Sequence, residues 1–255
     1  MASPPRSSEA RALRVDEARA LRVDRLLRDL GADLRRGEAP GEAPAPSEAR
    51  CATGLPEVDR LLGGGIPRGR VSEIAGPPSC GRTSLTLALL ARATAAGHWA
   101  AAIDAADAFD PASAEAAGVD LARVLWVRPA SPRDALRSAE HVLGAGGFAL
   151  VALDLALAEP VREEHRGRKG LESVPTAAWT RLRKLTAGTD AALLVLGYRR
   201  LAGSFADLAV EMEPTRSHFA RGPDWFEGLE GRIRLVRNRT GPGARTAAVR
   251  WQTAA

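Results

Sequence analysis

The feature that most constrains the fold of this chain is a set of short, almost uninterrupted apolar runs. They lie at residues 124–127, 148–154 and 191–197. Runs of this length without polar alternation are typical of strands that are covered on both faces in a parallel sheet. Helical patterns separate them, at residues 111–117, 132–144 and 174–187. This alternation predicts an α/β fold with a mostly parallel, doubly wound sheet.

The last part of the chain departs from this alternation. Residues 231–252 contain two strand patterns around a Gly-Pro-Gly turn, which predicts an antiparallel C-terminal edge. In the first of these strands, Arg232 and Arg234 alternate with Ile233 and Leu235, so we expect one basic and one apolar face. Apolar residues make up 45% of the chain and aromatic residues only 4%, so the core must consist mainly of Ala, Leu and Val.

Two segments of different character precede this core. Residues 1–36 contain the sequence EARALRVD twice in succession and then a helical pattern, so we predict a helical arm. Its apolar stripe has spacings of four, three and four and consists of Val23, Leu27, Leu30 and Leu34. Residues 37–50 are rich in Pro, Gly and Glu and predict a flexible linker, which leaves residues 51–255 as the core domain. The alternative is that the arm is an expanded, dispensable tail of low complexity.

A glycine-rich stretch, GPPSCGRTS at residues 76–84, lies between a predicted strand and a predicted helix. Its spacing matches a phosphate-binding loop, in which backbone N–H groups and the helix N-terminus face an anion. The candidate nucleotide ligands are Gly76, Ser79, Gly81, Arg82, Thr83 and Ser84. Thr83 has the position of a magnesium-binding hydroxyl, and Asp154 ends an apolar strand, where a magnesium carboxylate is expected.

The lysine position of this loop holds Arg82. Lysine bridges the terminal phosphates as a compact point charge, whereas arginine is larger and planar. We therefore expect that ATP and magnesium bind weakly if at all, and that hydrolysis is impaired. The alternative explanation of Arg82 is a general bias toward arginine in this chain, because only Lys169 and Lys184 of the 36 basic residues are lysines.

Bulk properties exclude several classes of protein. Cys51 and Cys80 are too few for a disulfide framework, and no run approaches the roughly 18 apolar residues of a membrane span. The N-terminus has no apolar segment like that of a signal peptide, so we expect a cytoplasmic protein. The four histidines and two cysteines show no paired ligand spacing, so no zinc site is expected. The net charge of +5 permits a polyanionic partner without requiring one.

Residues 53–252 resemble the RecA recombinase family. The shared features are the segment TGLPEVDRLLGGGIPRG before the loop, the loop itself, Asp110-Pro111, Gly118-Val119-Asp120 and the segment at 231–241. The resemblance implies a RecA-like P-loop core, and it adds Asp110 to the candidate nucleotide-binding residues.

The departures from the RecA pattern concern the residues that carry out catalysis. In that family a glutamate that activates water follows the second strand, and the matching position here is Ala106. Tyr198 stands where a glutamine senses the γ-phosphate, and Ser113 replaces the tyrosine that stacks on adenine. With Arg82, four distinct roles are altered. We therefore predict a RecA fold without catalytic residues, a pseudo-ATPase whose role requires no cofactor.

The segments that match the DNA-binding loops of RecA are altered too. The first, at about 158–172, mixes both charge signs, and the second is reduced to 199–207. The basic candidates for a nucleic-acid or partner surface are Arg162, Arg166, Arg168, Lys169, Arg232, Arg234, Arg237 and Arg239. A solvated basic face is the alternative. If single-stranded DNA binds, we expect weak, sequence-independent and strongly salt-dependent binding.

A shortened RecA-like chain with degenerate catalytic positions is similar to the ImuA proteins, bacterial accessory factors of mutagenic translesion synthesis. This resemblance implies expression in the SOS response to DNA damage. It also implies three partners: RecA, an inactive Y-family polymerase homologue (ImuB) and an error-prone replicative-type polymerase. Two alternatives stay open, an active ATP-dependent recombinase of the RecA class and a regulator that resembles cell-division inhibitors.

The arm provides a test of this domain organisation. Deleting residues 1–50 should leave the melting temperature of the core unchanged but abolish association with RecA or with a second copy, because the apolar stripe is expected to dock into a groove on such a subunit. Thermal unfolding and a pull-down assay measure the two effects. A core that unfolds without the arm would show that the helix is part of the fold.

Overall fold

A computed structural model describes residues 49–156, 174–214, 216–219, 226–241, 243 and 245–252. The predicted arm, with Val23, Leu27, Leu30 and Leu34, therefore lies outside the described residues. So does the first loop, with Arg162, Arg166, Arg168 and Lys169. In the part that is described, no helix is long and apolar enough to cross a membrane.

The described chain contains five α-helices and eleven strands. The helices are α1 Pro56–Leu62, α2 Arg82–Ala95, α3 Pro111–Ala116, α4 Pro132–Ala145 and α5 Thr176–Ala187. The strands are β1 Arg50–Cys51, β2 Ile66–Pro67, β3 Val71–Ala75, β4 Trp99–Asp104, β5 Val124–Val127, β6 Phe148–Asp154, β7 Ala192–Gly197, β8 Leu208–Met212, β9 Arg216–Phe219, β10 Phe226–Asn238 and β11 Arg245–Gln252.

The main sheet confirms the predicted fold class. Within the described residues its strand order is β11-β10-β8-β3-β7-β6-β4-β5, and β9 pairs with β10. All neighbours from β8 to β5 run parallel. Strand β10 is antiparallel to both β8 and β11, which gives the predicted antiparallel C-terminal edge.

Both faces of the central strands are buried, because alternate residues point into two separate clusters. In β7, Leu194 and Leu196 belong to a cluster with α2, whereas Leu193 and Val195 belong to a second cluster with α4 and α5. Helices therefore cover the sheet on both sides, as a doubly wound architecture requires.

Strand β5 differs from the expectation that its apolar run is covered on both faces. It is the outermost parallel strand and pairs only with β4 among the described strands. Trp126 in its middle is 36% exposed. A short apolar run on an edge strand has the same sequence signature as one in the interior, so the pattern alone could not distinguish them.

Arg50, which the sequence analysis assigned to the linker, belongs to the folded core. It lies in β1, which pairs with β2. Its Nη1 donates to the carbonyls of Leu62 and Gly65 at 3.2 and 2.8 Å, and its Nη2 donates to the carbonyl and hydroxyl oxygens of Thr240 at 2.8 and 2.9 Å. One guanidinium thus ties the glycine-rich segment after α1 to the turn after β10.

This contact refines the deletion experiment. A chain that begins at residue 51 lacks the Arg50 guanidinium and leaves its carbonyl partners without a charged donor. We expect the chain 49–255 to be more stable than the chain 51–255 by about 1–3 kcal/mol, the range for several hydrogen bonds to a partly exposed charged group. Urea unfolding of the two truncations measures the difference. Equal stabilities would show that the Arg50 contacts contribute nothing.

Candidate nucleotide site

The candidate site lies at one edge of the sheet, where the parallel strands β3, β4, β6 and β7 end. Asp104 and Asp154 are neighbours in the register of β4 and β6, and Ala75 is opposite Gly197 in β3 and β7. This edge is where open α/β sheets bind their ligands. The chain therefore brings the glycine-rich loop, two carboxylates and the segment after β7 together.

The loop connects β3 to α2 through backbone positions that favour glycine. A Cβ on Gly76 would lie 2.6 Å from the carbonyl oxygen of Met212 and 2.7 Å from the sulfur of Cys80, so a larger residue does not fit. Gly81 precedes α2 at φ 90°, and Ser79 also has a positive φ, 57°. Since Gly81 provides no side-chain cap and the first turn has no acidic residue, the helix N-terminus suits an anion.

The Arg82 side chain is held in place by contacts with other residues of the protein. Its Nη1 donates to the carbonyl oxygens of Gly76 and Gly197, both at 2.5 Å. Its guanidinium carbon lies 4.6 Å from the ring centroid of Tyr198, within the range of a cation–π contact. Arg82 and Tyr198, which the resemblance places at a lysine and a glutamine position, are therefore in contact, and the arginine charge is directed at the ends of β3 and β7.

The two predicted magnesium ligands share one cavity. Thr83 from α2 and Asp154 from β6 line a space of about 30 Å³ together with Asp104, Thr86 and Phe109. Burial raises the pKa of Asp154, and the neighbouring Asp104 raises it further. A hydroxyl and a carboxylate on one cavity suit the oxygen coordination that Mg²⁺ prefers.

Asp104 is a member of this site that the sequence analysis did not name. It is buried at the end of β4, and its carboxylate accepts the N–H groups of Ala108 and Phe109 at 2.9 and 3.0 Å. The available signal was the same as for Asp154, an aspartate that ends an apolar strand. Within the described residues no group of three or more His, Cys, Asp and Glu side chains gathers to hold a metal ion.

The turn after β4 carries no acid directed at the cavity. Ala106 has no ionisable group, and the adjacent Asp107, at φ 54°, is exposed. The Asp107 carboxylate forms an ion pair with Arg128, with oxygen-to-nitrogen distances of 2.6 and 3.0 Å. Asp107 is therefore engaged at the surface and does not supply the group that Ala106 lacks.

Asp110 has a local structural role. It caps α3, and its carboxylate accepts from the backbone N–H of Ser113 at 2.9 Å and from the Ser113 hydroxyl at 2.6 Å. These two hydrogen bonds lower the pKa of Asp110. Asp110, a candidate nucleotide-binding residue, is thus hydrogen-bonded to Ser113, and nucleotide binding by Asp110 stays a prediction.

Glu73, also missed from the sequence, anchors the segment that follows Tyr198. This carboxylate is buried in β3, and its Oε1 accepts the N–H groups of Leu201 and Ala202, the latter at 2.7 Å. Its Oε2 is buried without a hydrogen-bond partner. Burial raises the pKa of Glu73. A carboxylate within an apolar strand gives no sequence signal for partners that lie far along the chain.

Strand β10 has the predicted alternation of faces. Ile233 and Leu235 are buried, whereas Arg232 and Arg234 are exposed. Three of the predicted arginines also have partners within the protein: Arg234 pairs with Glu211, Arg237 donates to the carbonyls of Gly203 and Ala206, and Arg239 pairs with Asp207. Binding of nucleic acid or a partner by these arginines stays a prediction.

Together, the strand, the glycine-rich loop and the helix at this edge of the sheet define a protein of the P-loop class. A family model of the RecA N-terminal domain matches residues 42–195. The chain belongs to the RecA family.

Individual relatives agree with this assignment. The RecA protein of Rubrobacter xylanophilus is 37% identical over 167 residues, which cover 65% of this chain and 45% of the relative. The RecA protein of Methylococcus capsulatus is 33% identical, with 76% and 62% covered. The chain thus spans about half to three fifths of these relatives. The crystal structure of the RadB recombinase has a TM-score of 0.58 at 21% identity, covers 78% and 95% of the two chains, and shows the shared fold.

Glu73 generates a pH prediction. A carboxyl with a raised pKa contributes its full stability below its ordinary value of 4.5, and loses it as the pH rises through the raised value. Glu73→Gln retains an acceptor for Leu201 and Ala202 but does not titrate. We therefore expect its stability relative to the parent chain to rise between pH 4 and pH 8, as measured by urea unfolding.

Glu73→Ala serves as the comparison variant. It leaves the same two N–H groups without an acceptor, so it should be destabilised by about 1–3 kcal/mol at acidic pH. Parallel stability curves for the parent chain and Glu73→Gln across the whole pH range would contradict the raised pKa.

Proposed function

We propose that this protein is a RecA-fold accessory factor of mutagenic translesion synthesis, induced in the SOS response, that acts in the cytoplasm by binding partners and not by ATP turnover. Its fold and family are those of RecA, and curated relatives include a DNA repair protein RecA homologue of Arabidopsis thaliana. The similarity to ImuA described above supports the more specific role.

The observation that carries the proposal is the position of Arg82. Both carbonyls that it contacts belong to the strand ends next to the loop, and Tyr198 packs against its guanidinium. To reach a nucleotide phosphate, the side chain must give up two hydrogen bonds and a cation–π contact. A lysine ammonium in the same loop is a flexible point charge without the planar fork that makes these contacts.

The other departures remove different catalytic contributions. Ala106 provides no base to orient a water molecule, and Tyr198 provides no amide to sense a terminal phosphate. Loss of one general base or one charge-stabilising donor costs about two to four orders of magnitude in rate. Because these roles are separate, their combined loss supports a pseudo-ATPase.

Residual nucleotide binding is compatible with this role. Thr83 and Asp154 would hold Mg²⁺, and the N-terminus of α2 would face the phosphates. Magnesium would neutralise phosphate charge when bound. The site therefore fits weak Mg–ATP binding better than turnover.

The partners that we propose are RecA itself, an ImuB-type polymerase homologue and an error-prone replicative-type polymerase. These partners rest on the resemblance to ImuA. Membership of the RecA family supports the first, because the natural neighbour of a RecA-fold subunit is another subunit of the same fold. Single-stranded DNA is a further candidate partner.

An active ATP-dependent recombinase is the second candidate function. It is favoured by the intact backbone of the loop and by the shared cavity of Thr83 and Asp154. Phosphate release distinguishes it from the accessory role.

We expect no DNA-stimulated phosphate release above background from the full chain with Mg–ATP and single-stranded DNA. The triple variant Arg82→Lys/Ala106→Glu/Tyr198→Gln restores the phosphate-binding lysine, the water-activating glutamate and the phosphate-sensing glutamine. It should gain measurable turnover, whereas each single variant should not. Turnover of roughly 1 s⁻¹ or more by the parent chain, in the ordinary range of enzymes, and its loss in Thr83→Ala would overturn the pseudo-ATPase.

A further inference from the structure

A second charged centre lies at the amino ends of the parallel strands, on the opposite side of the sheet from their carboxyl ends, where the nucleotide site lies. Asp207 precedes β8, and only 4% of its side chain is exposed. Its backbone N–H donates to the carbonyl of Val71 at 2.8 Å, and its carbonyl accepts the N–H of Arg239 at 2.9 Å. The carboxylate is therefore fixed at the amino ends of the parallel strands.

Three arginines converge on this one carboxylate from different elements. Arg239, after β10, lies 3.3 Å from it, and Arg70, before β3, and Arg183, on α5, each lie 3.7 Å from it. Three positive charges thus face one negative charge. At 3.7 Å, Arg70 and Arg183 are beyond hydrogen-bond distance, so their N–H donors are not used on Asp207.

The three arginine side chains remain partly open to solvent. They are between 43% and 51% exposed, in contrast with the buried carboxylate beneath them. An ion pair for stability alone needs one arginine, and additional like charges within a few ångströms repel each other. The cluster therefore presents an excess of positive charge at the surface, and the buried Asp207 carboxylate beneath it keeps the three arginines close to one another.

An open cavity of about 340 Å³ continues this surface. Arg68 and Arg70 line it together with Thr189 and Asp190. Arg68 donates from Nε to the backbone carbonyl of Asp190 at 2.7 Å, which anchors the side chain while its terminal nitrogens remain for a ligand. The opposite-edge cluster, defined as Arg70, Arg183 and Arg239 around Asp207 together with Arg68 in the adjoining cavity, combines a charge surplus with a concave entrance.

We propose that the opposite-edge cluster binds the phosphodiester backbone of nucleic acid. Guanidinium forks match the geometry of phosphate oxygens, and several partly exposed arginines gathered in one place suit a polyanionic ligand. The inference rests on the proposed function for its partner class, since an accessory factor of DNA synthesis operates on DNA. Of the arginines near the end of the chain that the sequence analysis named, Arg232, Arg234, Arg237 and Arg239, the cluster includes only Arg239.

An acidic protein segment is the competing occupant. The phosphodiester backbone is favoured because the cluster presents guanidinium groups at a cavity, and the described residues that line this cavity include no aromatic or large aliphatic side chain of the kind that anchors protein interfaces. Binding through this cluster should then be sequence-independent and should weaken linearly with the logarithm of salt concentration.

The test uses the full chain without nucleotide and a fluorescently labelled oligothymidylate, titrated at salt concentrations from about 50 to 200 mM. Arg68→Gln is the main variant because it removes a cavity charge without touching Asp207. It should weaken binding by roughly five- to tenfold and reduce the log–log salt slope by about 0.7. Arg137→Gln, which removes the same charge from an exposed position on α4, should leave both quantities unchanged.

Asp207→Asn provides a test in the opposite direction. It removes the internal negative charge, so affinity and salt slope should both increase, and its melting temperature reports whether the fold is intact. The proposal is overturned if Arg68→Gln and Arg137→Gln bind DNA equally well, if the parent chain binds no DNA, or if polyglutamate displaces the oligonucleotide at equal charge concentration. Association of Arg68→Gln with RecA is measured separately, because the accessory role predicts that this association persists. If the association persists while the DNA measurements contradict the cluster, the DNA-binding surface is wrong and the proposed function stands. Loss of the association would contradict the proposed function.

Discussion

The candidate site depends on one guanidinium placed between two strand ends. Arg82 begins α2, yet its side chain turns back to the carbonyls of Gly76 and Gly197 and packs on Tyr198. The glycine-rich loop, the end of β7 and the start of the following segment are therefore joined through one side chain. The same contact that stabilises the site withdraws its main positive charge from a ligand.

The sequence predicted most of the local structure, since strands, loop and helix were each encoded over a few neighbouring residues. Thr83 and Asp154 were found because each follows a local pattern. The partners of Arg82 and Glu73 were not, because Gly197 and Leu201 lie more than 100 residues further along the chain. Long-range contacts of this kind depend on strand order, which hydrophobic periodicity does not specify.

Charged residues were the hardest to interpret from sequence. The arginines of β10 formed a regular pattern, but strand pairing places Arg234 beside Glu211, and Arg237 donates to the carbonyls of Gly203 and Ala206. Conversely, Asp207 and Arg70 have no pattern in common and meet only because β8 pairs with β3. The number of basic residues in the sequence therefore predicts the total charge of the protein well, but it does not predict where on the folded protein that charge lies.

Trp126 has a consequence for how this protein can be observed. Its indole lies 5.4 Å from the ring of Phe109 and 5.3 Å from the guanidinium of Arg128, which is paired with Asp107. Phe109 also lines the cavity that contains Thr83. The half-exposed indole is thus connected through one aromatic neighbour to the candidate site, so the chain carries a built-in optical reporter of rearrangements there, with no label attached.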